Sequence, residues 1–123
     1  MKRKIKFRIW DKEGNRMIDG DSFTFEEYIP INYMFNDSNR FIFMQYTGLK
    51  DKNDKKVYEG DIVRIDYGDG LLMGIMEFYD FAWCIKSKYK NYKNLYYPIF
   101  CEDIDLIEVL GNIYENPELL ENK

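Results

Sequence analysis

Histidine is absent from this 123-residue chain. Its absence removes the side chain most used for acid–base work near neutral pH, and the commonest metal ligand. Serine is scarce: Ser22, Ser38 and Ser87 stand in turn-like or basic surroundings, none within a nucleophile-elbow pattern. The two cysteines, Cys84 and Cys101, are too few and too far apart for a four-ligand zinc site. The basic start Met1-Lys2-Arg3-Lys4 leads into alternating polar and apolar residues, which is not the continuous apolar run of a signal peptide. Reduced, partly buried thiols are therefore expected in place of a bridge. No stretch approaches the roughly 20 apolar residues that span a bilayer. The chain reads as cytoplasmic.

Phosphate chemistry is equally unsupported. Gly68-Asp69-Gly70 has no helix after it and reads as a hairpin turn, not a phosphate cradle. Glu102, Asp103, Asp105 and Glu108 are close enough to suggest an oxygen site for a hard cation. They lack a glycine-containing loop with ligand spacing, however, and a solvated acidic face is the expectation. A net charge of −4 makes the chain a poor non-specific binder of duplex DNA, whose affinity comes from lysine and arginine displacing counterions. No catalytic residue, cofactor or metal is expected.

What is present is an aromatic-rich, sheet-forming composition, 46% hydrophobic with 11 Tyr and 9 Phe, long enough for one modest core. Residues 1–123 read as a single domain. From Lys4 to Trp10 the residues alternate, with Ile5, Phe7 and Ile9 on one face and Lys4, Lys6, Arg8 and Trp10 on the other. Asp11-Lys12-Glu13-Gly14-Asn15 supplies a turn, and Arg16-Met17-Ile18 returns as a short strand. Residues 20–40 form an irregular insert. Phe41 to Thr47 is a strand apolar on both faces, ended by Gly48, and residues 50–56 form a solvated charged loop. Ile62 to Tyr67, Leu71 to Phe78 and Ala82 to Ile85 form a three-strand meander with turns at Gly68-Asp69-Gly70 and Asp80. Gly74 marks a bulge or a close backbone approach. Ile104 to Ile113 is a last strand, and Asn116-Pro117-Glu118 starts a short C-terminal helix. The expected fold is mainly β (a β-rich α+β class). Residues 57–113 are expected to make a small SH3-like or bent antiparallel barrel.

Three segments, in this order and at these separations, carry a family resemblance. They are Lys6-Phe7-Arg8-Ile9-Trp10-Asp11, then Gln45-Tyr46-Thr47-Gly48-Leu49-Lys50-Asp51 through Tyr58-Glu59-Gly60-Asp61-Ile62-Val63, and Ile107-Glu108-Val109-Leu110-Gly111-Asn112-Ile113-Tyr114-Glu115-Asn116-Pro117-Glu118-Leu119-Leu120. Together they resemble the YopX family, small proteins of phages and prophages of Gram-positive bacteria. The resemblance implies a phage context, a cytoplasmic location, a β-rich fold and self-association. It implies no reaction, and its motif residues read as structural: Gly48, Gly60 and Gly111 for turn geometry, Asp61 at strand entry, and Asn116-Pro117 as the helix start.

Two functional expectations follow, with carboxylate-only hydrolysis, by a metal or by paired acids, a distant third. The first is non-enzymatic binding of a host or phage protein by a homo-oligomer, because aromatic residues anchor interfaces and the sequence offers no chemistry. The second is a nucleic-acid-binding module in residues 86–97. Lys86, Lys88, Lys90 and Lys93 interleave there with Tyr89, Tyr92, Tyr96 and Tyr97. Lysines can hold phosphates while tyrosine rings stack on unpaired bases. The plainer alternative for that segment is an edge whose lysines deter aggregation. Lys2, Lys4, Lys6 and Arg8 form a second basic stripe.

Overall fold

The computed structural model describes residues 6–19, 37, 39–68, 70–88 and 95–121, apart from the side chains of 101–103. The fold is mainly β. The chain divides into two compact units, Met1–Tyr46 and Thr47–Lys123. The irregular insert expected over 20–40 falls almost wholly outside the described residues.

In the first unit β1 (Phe7–Asp11) lies between β2 (Arg16–Asp19) and the start of β3 (Phe41–Lys50), antiparallel to both. The expected N-terminal hairpin is present, with Ile9 opposite Ile18 and Asp11 opposite Arg16. Ile9 and Phe41 form the buried centre, with Ile18 and Phe43 packed on it. Trp10, expected on the solvent face, is buried as well. Its indole is the one apolar group among the polar residues of that face, and burying it outweighs the simple alternation.

Asp11 closes this hairpin. Its buried carboxylate accepts the backbone N–H groups of Glu13 and Gly14, both at 3.1 Å. It also accepts a two-pronged bond from Arg40, at 2.9 Å from Nε and 3.1 Å from Nη2. The Arg40 bond, then the Gly14 amide, hold the Asp11 carboxyl well below the usual carboxylate range against the opposing effect of burial. A folded-state value below the unfolded one gives stability that is complete above about pH 4. That stability is lost as pH falls through the lower folded value. Asp11→Asn is therefore expected to lower the urea midpoint at neutral pH and to flatten its fall on acidification below about pH 4. An acid slope equal to the wild type's would show that another group carries it.

In the second unit the sheet order is β8-β7-β6-β5-β9, all antiparallel. Its strands are β5 (Asp61–Asp66), β6 (Leu71–Tyr79), β7 (Ala82–Ser87), β8 (Tyr96–Pro98) and β9 (Ile107–Asn112). The expected small antiparallel barrel is found as a curled antiparallel half-barrel. β4 (Lys56–Tyr58) contributes Val57 to its core, with Val63, Ile65, Met76, Ile85 and Ile107. Leu72, Trp83, Ile99 and Val109 pack against that cluster.

Several local expectations are corrected. β3 does not stop at Gly48 but passes through it to Lys50, because glycine accepts the φ of +89° found there. The 50–56 loop is not wholly solvated, since Asp51 is buried. Its carboxylate accepts the N–H groups of Asn53 (2.8 Å), Lys55 (2.9 Å) and Val109 (2.9 Å). The Lys52 N–H donates to Ile107 at 2.9 Å, so this loop satisfies part of the outer edge of β9. Burial pushes the Asp51 carboxyl up, but those three amides together hold it below its ordinary value. Asp51→Ala, which orphans three donors, is expected to cost about 2–3 kcal/mol in a urea titration. A loss under about 0.5 kcal/mol would mean that water replaces the carboxylate freely. The last strand begins at Ile107, not Ile104, because Cys101–Leu106 turns as a 3-10 helix. The C-terminal helix is the 3-10 turn Pro117–Leu120, and Asn116 does not cap it through its side chain.

Candidate functional site

The structure gathers five motif residues, Gly60, Asp61, Gly111, Asn116 and Pro117, at one corner. Gly60, at a φ of +85°, donates its N–H to Met76 and accepts from Ile113. Buried Asp61 takes the Tyr58 N–H at 2.8 Å. Asn112, opposite Asp61, accepts the N–H groups of Tyr114 and Glu115 at its side-chain oxygen and donates to the Glu115 carboxylate. The Asn116 side chain folds back to accept the Asn112 N–H at 3.1 Å instead of capping the helix that Pro117 begins. That fold-back explains Gly111: a Cβ there would lie 2.4 Å from Asn116 Oδ1. Gly111 thus supplies room, not turn conformation. Gly111→Ala and Asn116→Ala should each destabilise, and the double variant should lose less than their sum in a double-mutant cycle. Strict additivity would show that the two positions act separately. The polar groups named here bond one another across the corner, which accounts for the motif residues by folding.

The basic segment is only partly visible. Lys86 and Lys88 are described; Tyr89, Lys90, Tyr92 and Lys93 lie outside the described residues. Lys86 sits with Nζ 5.9 Å from the Tyr96 ring centroid, and Tyr96 stacks on Tyr79 with centroids 3.8 Å apart and planes 5° from parallel. Tyr96 is thus engaged within the protein. Of the second basic stripe Lys6 and Arg8 are described, and half-buried Arg8 directs Nη2 toward Met44 Sδ at 3.9 Å. In the acidic segment, Glu108 pairs with Arg64 and with Lys52 at 3.7 Å. Among the described residues no group of three or more acidic, cysteine or histidine side chains is placed to hold a metal.

A different surface stands out, the hairpin joining β6 to β7. Tyr79 pairs with Ala82, so the connection is the two residues Asp80 and Phe81. Both have positive φ, +53° and +66°. A two-residue turn with both centres left-handed matches the right-handed twist of its strands, and glycine, asparagine or aspartate normally fills it. Asp80 fits that chemistry. Phe81 does not: a bulky side chain in this region is a steric outlier. It is also 93% exposed, so no packing in the described structure offsets the strain.

Other aromatics surround it. Phe78 and Tyr79 are about half exposed, at 53% and 50%. Phe78 meets Trp83, its partner across the strands, edge to face at 5.2 Å. Ile99 donates its N–H to the Trp83 carbonyl, and exposed Phe100 follows it in the chain. Trp83 is anchored in the core cluster at one end and carries Phe78 at the other. The tip therefore carries exposed rings on both faces of a hydrogen-bonded ladder, Phe78 against Trp83 on one face and Tyr79 on the other. Its one thiol is unsuited to chemistry. Cys84 is buried and donates weakly to the carbonyls of Tyr79 and Ala82, while burial and then Asp80 push its pKa up. The sequence carried a signal for this tip, a phenylalanine where a two-residue hairpin wants glycine or asparagine.

A family model described as YopX protein matches residues 6–121. The crystal structure of protein EF1440 from Enterococcus faecalis is similar at a TM-score of 0.62 and 28% identity, covering 98% of this chain and 100% of that one. The X-ray structure of protein yopX from Bacillus subtilis is similar at a TM-score of 0.62 and 21% identity, covering 96% and 97% respectively, and shows likeness of fold. No curated protein matches the chain. Among the described residues no helix is long and apolar enough to cross a membrane.

Proposed function

The chain belongs to the YopX family, and from that premise we propose that it is a phage or prophage accessory protein of the bacterial cytoplasm that acts by binding. It recognises a protein partner through the β6–β7 tip and associates with further copies of itself. It performs no reaction of its own. The observation that carries this reading is Phe81, strained in its backbone and 93% exposed at the apex of a hairpin that also exposes Phe78 and Tyr79. Folding gains nothing from such a residue in the described structure, whereas exposed rings on a rigid element are what interface anchors require.

The nucleic-acid reading has one supporting feature, Lys86 and Tyr96 side by side. Against it, one face of the Tyr96 ring is covered by Tyr79 and the chain is acidic overall. Sedimentation and affinity recovery from induced host lysate test the proposal with wild type and Phe81→Asn in parallel. Wild type is expected to self-associate or to retain a defined protein, and the variant to lose that association. Equal behaviour of the two would refute the tip as the contact.

A further inference from the structure

We infer that the β6–β7 tip receives a cationic segment of its protein partner, with an arginine side chain set against the exposed rings and the carboxylates of Asp80 and Glu77. The inference rests on the reading of the tip as a binding surface and names the chemistry it selects. Asp80 immediately precedes Phe81 in a two-residue loop. Any partner that covers Phe81 must cover Asp80 too. A carboxylate withdrawn from water without a counter-charge or donors is strongly unfavourable. A purely apolar partner is therefore selected against by the residue next to the anchor.

Glu77 adds a second carboxylate on the same hairpin, opposite Cys84 and one residue before Phe78. Among the described residues neither Asp80 nor Glu77 has an ion-pair partner, whereas Asp11, Asp54 and Glu108 each do. The described cation of β7, Lys86, is directed over Tyr96. Asp80 also helps hold the Cys84 thiol protonated, so its field is felt across the hairpin. Unpaired carboxylates among exposed aromatic faces complement one group in particular. A guanidinium stacks on a ring while its N–H fork engages a carboxylate. Phosphate-bearing and acidic partners meet repulsion at the same place.

The test follows backbone amide NMR shifts of the full chain on titration with a short arginine–glycine peptide. Its glutamate–glycine counterpart and a single-stranded oligonucleotide are run alongside. The arginine peptide is expected to shift the amides of Phe78, Tyr79, Asp80 and Phe81 saturably. The double variant Glu77→Gln with Asp80→Asn should weaken that binding about tenfold. A control pair removing equal charge elsewhere, Asp54→Asn with Glu118→Gln, should leave it within about twofold. Equal loss in the control pair, or equal tip shifts with the acidic peptide or the oligonucleotide, would overturn the inference. No tip shift with the arginine peptide, while Phe81→Asn still abolishes partner recovery, would overturn the cationic preference alone and leave the tip as the contact. Partner recovery unaffected by Phe81→Asn would remove the tip reading itself.

Discussion

Replacing Phe81 with asparagine should stabilise the protein and disable it in the same step. Phe81 holds a φ of +66° with its side chain 93% exposed. A left-handed backbone costs an ordinary side chain roughly 1–2 kcal/mol, and asparagine relieves much of that through its local hydrogen bonding. Since so little of the ring is buried, removing it forfeits little packing. The expected gain is about 1 kcal/mol, or roughly 3–5 °C in Tm for a chain of this size. Binding should fall at the same time, because truncating a central aromatic anchor commonly costs at least about 2 kcal/mol of affinity, a loss of some thirtyfold. The opposite signs are the diagnostic. A lower Tm would mean that the phenylalanine supports the fold, and its exposure would then need another explanation.

The largest loss of stability is expected from Gly74→Ala. Gly74 lies in the middle of β6, paired with Val63 on one side and Ser87 on the other. A Cβ there would come 2.0 Å from the Lys86 carbonyl oxygen and 2.7 Å from its carbonyl carbon. Both atoms are backbone, and Ile85 Cγ2 at 2.9 Å closes the remaining direction. No rotamer change relieves such a clash, so β6 and β7 must part. Overpacking of this kind costs typically 1–3 kcal/mol; with backbone as the obstacle the loss should reach about 3 kcal/mol or more. Chemical denaturation followed by circular dichroism measures it. A loss below about 1 kcal/mol would show that the two strands separate easily, and the rigid ladder under the aromatic tip would be called into question.

These two sites differ in how much the sequence announces. Gly74, alone among apolar strand residues, predicts a bulge or close approach, and the close approach is what occurs. The meander of β5, β6 and β7 is legible because alternation and glycine corners are local signals, and the N-terminal hairpin is legible for the same reason. Trp10 and Asp51 are not: Trp10 breaks the simple alternation of its strand, and Asp51 depends on what arrives from a distance. Asp51 looks like one charge among many until the Val109 amide reaches it from a strand far along the chain. Asn116 carries a helix-start signature, yet its side chain serves the Asn112 amide, a choice made by the tight corner at Gly111.

The candidate site shows the same division. Lys86 and the tyrosines after it draw attention as composition, but pairing brings Tyr79 to Tyr96 and Phe78 to Trp83 across strands. Phe81, on which the proposed function rests, was readable only as a violation of turn chemistry once both flanking strands were in place. A departure from local preference at one point, on an element otherwise consistent with it, is the pattern expected where function and not folding selects the residue.

The most direct measurement places the photoreactive analogue benzoylphenylalanine at position 81 in the cell, with the same probe at exposed position 53 as control. If the tip is a recognition surface, irradiation yields discrete protein adducts from position 81 that position 53 does not give. Identical adduct patterns from the two positions, or none from either, would contradict it.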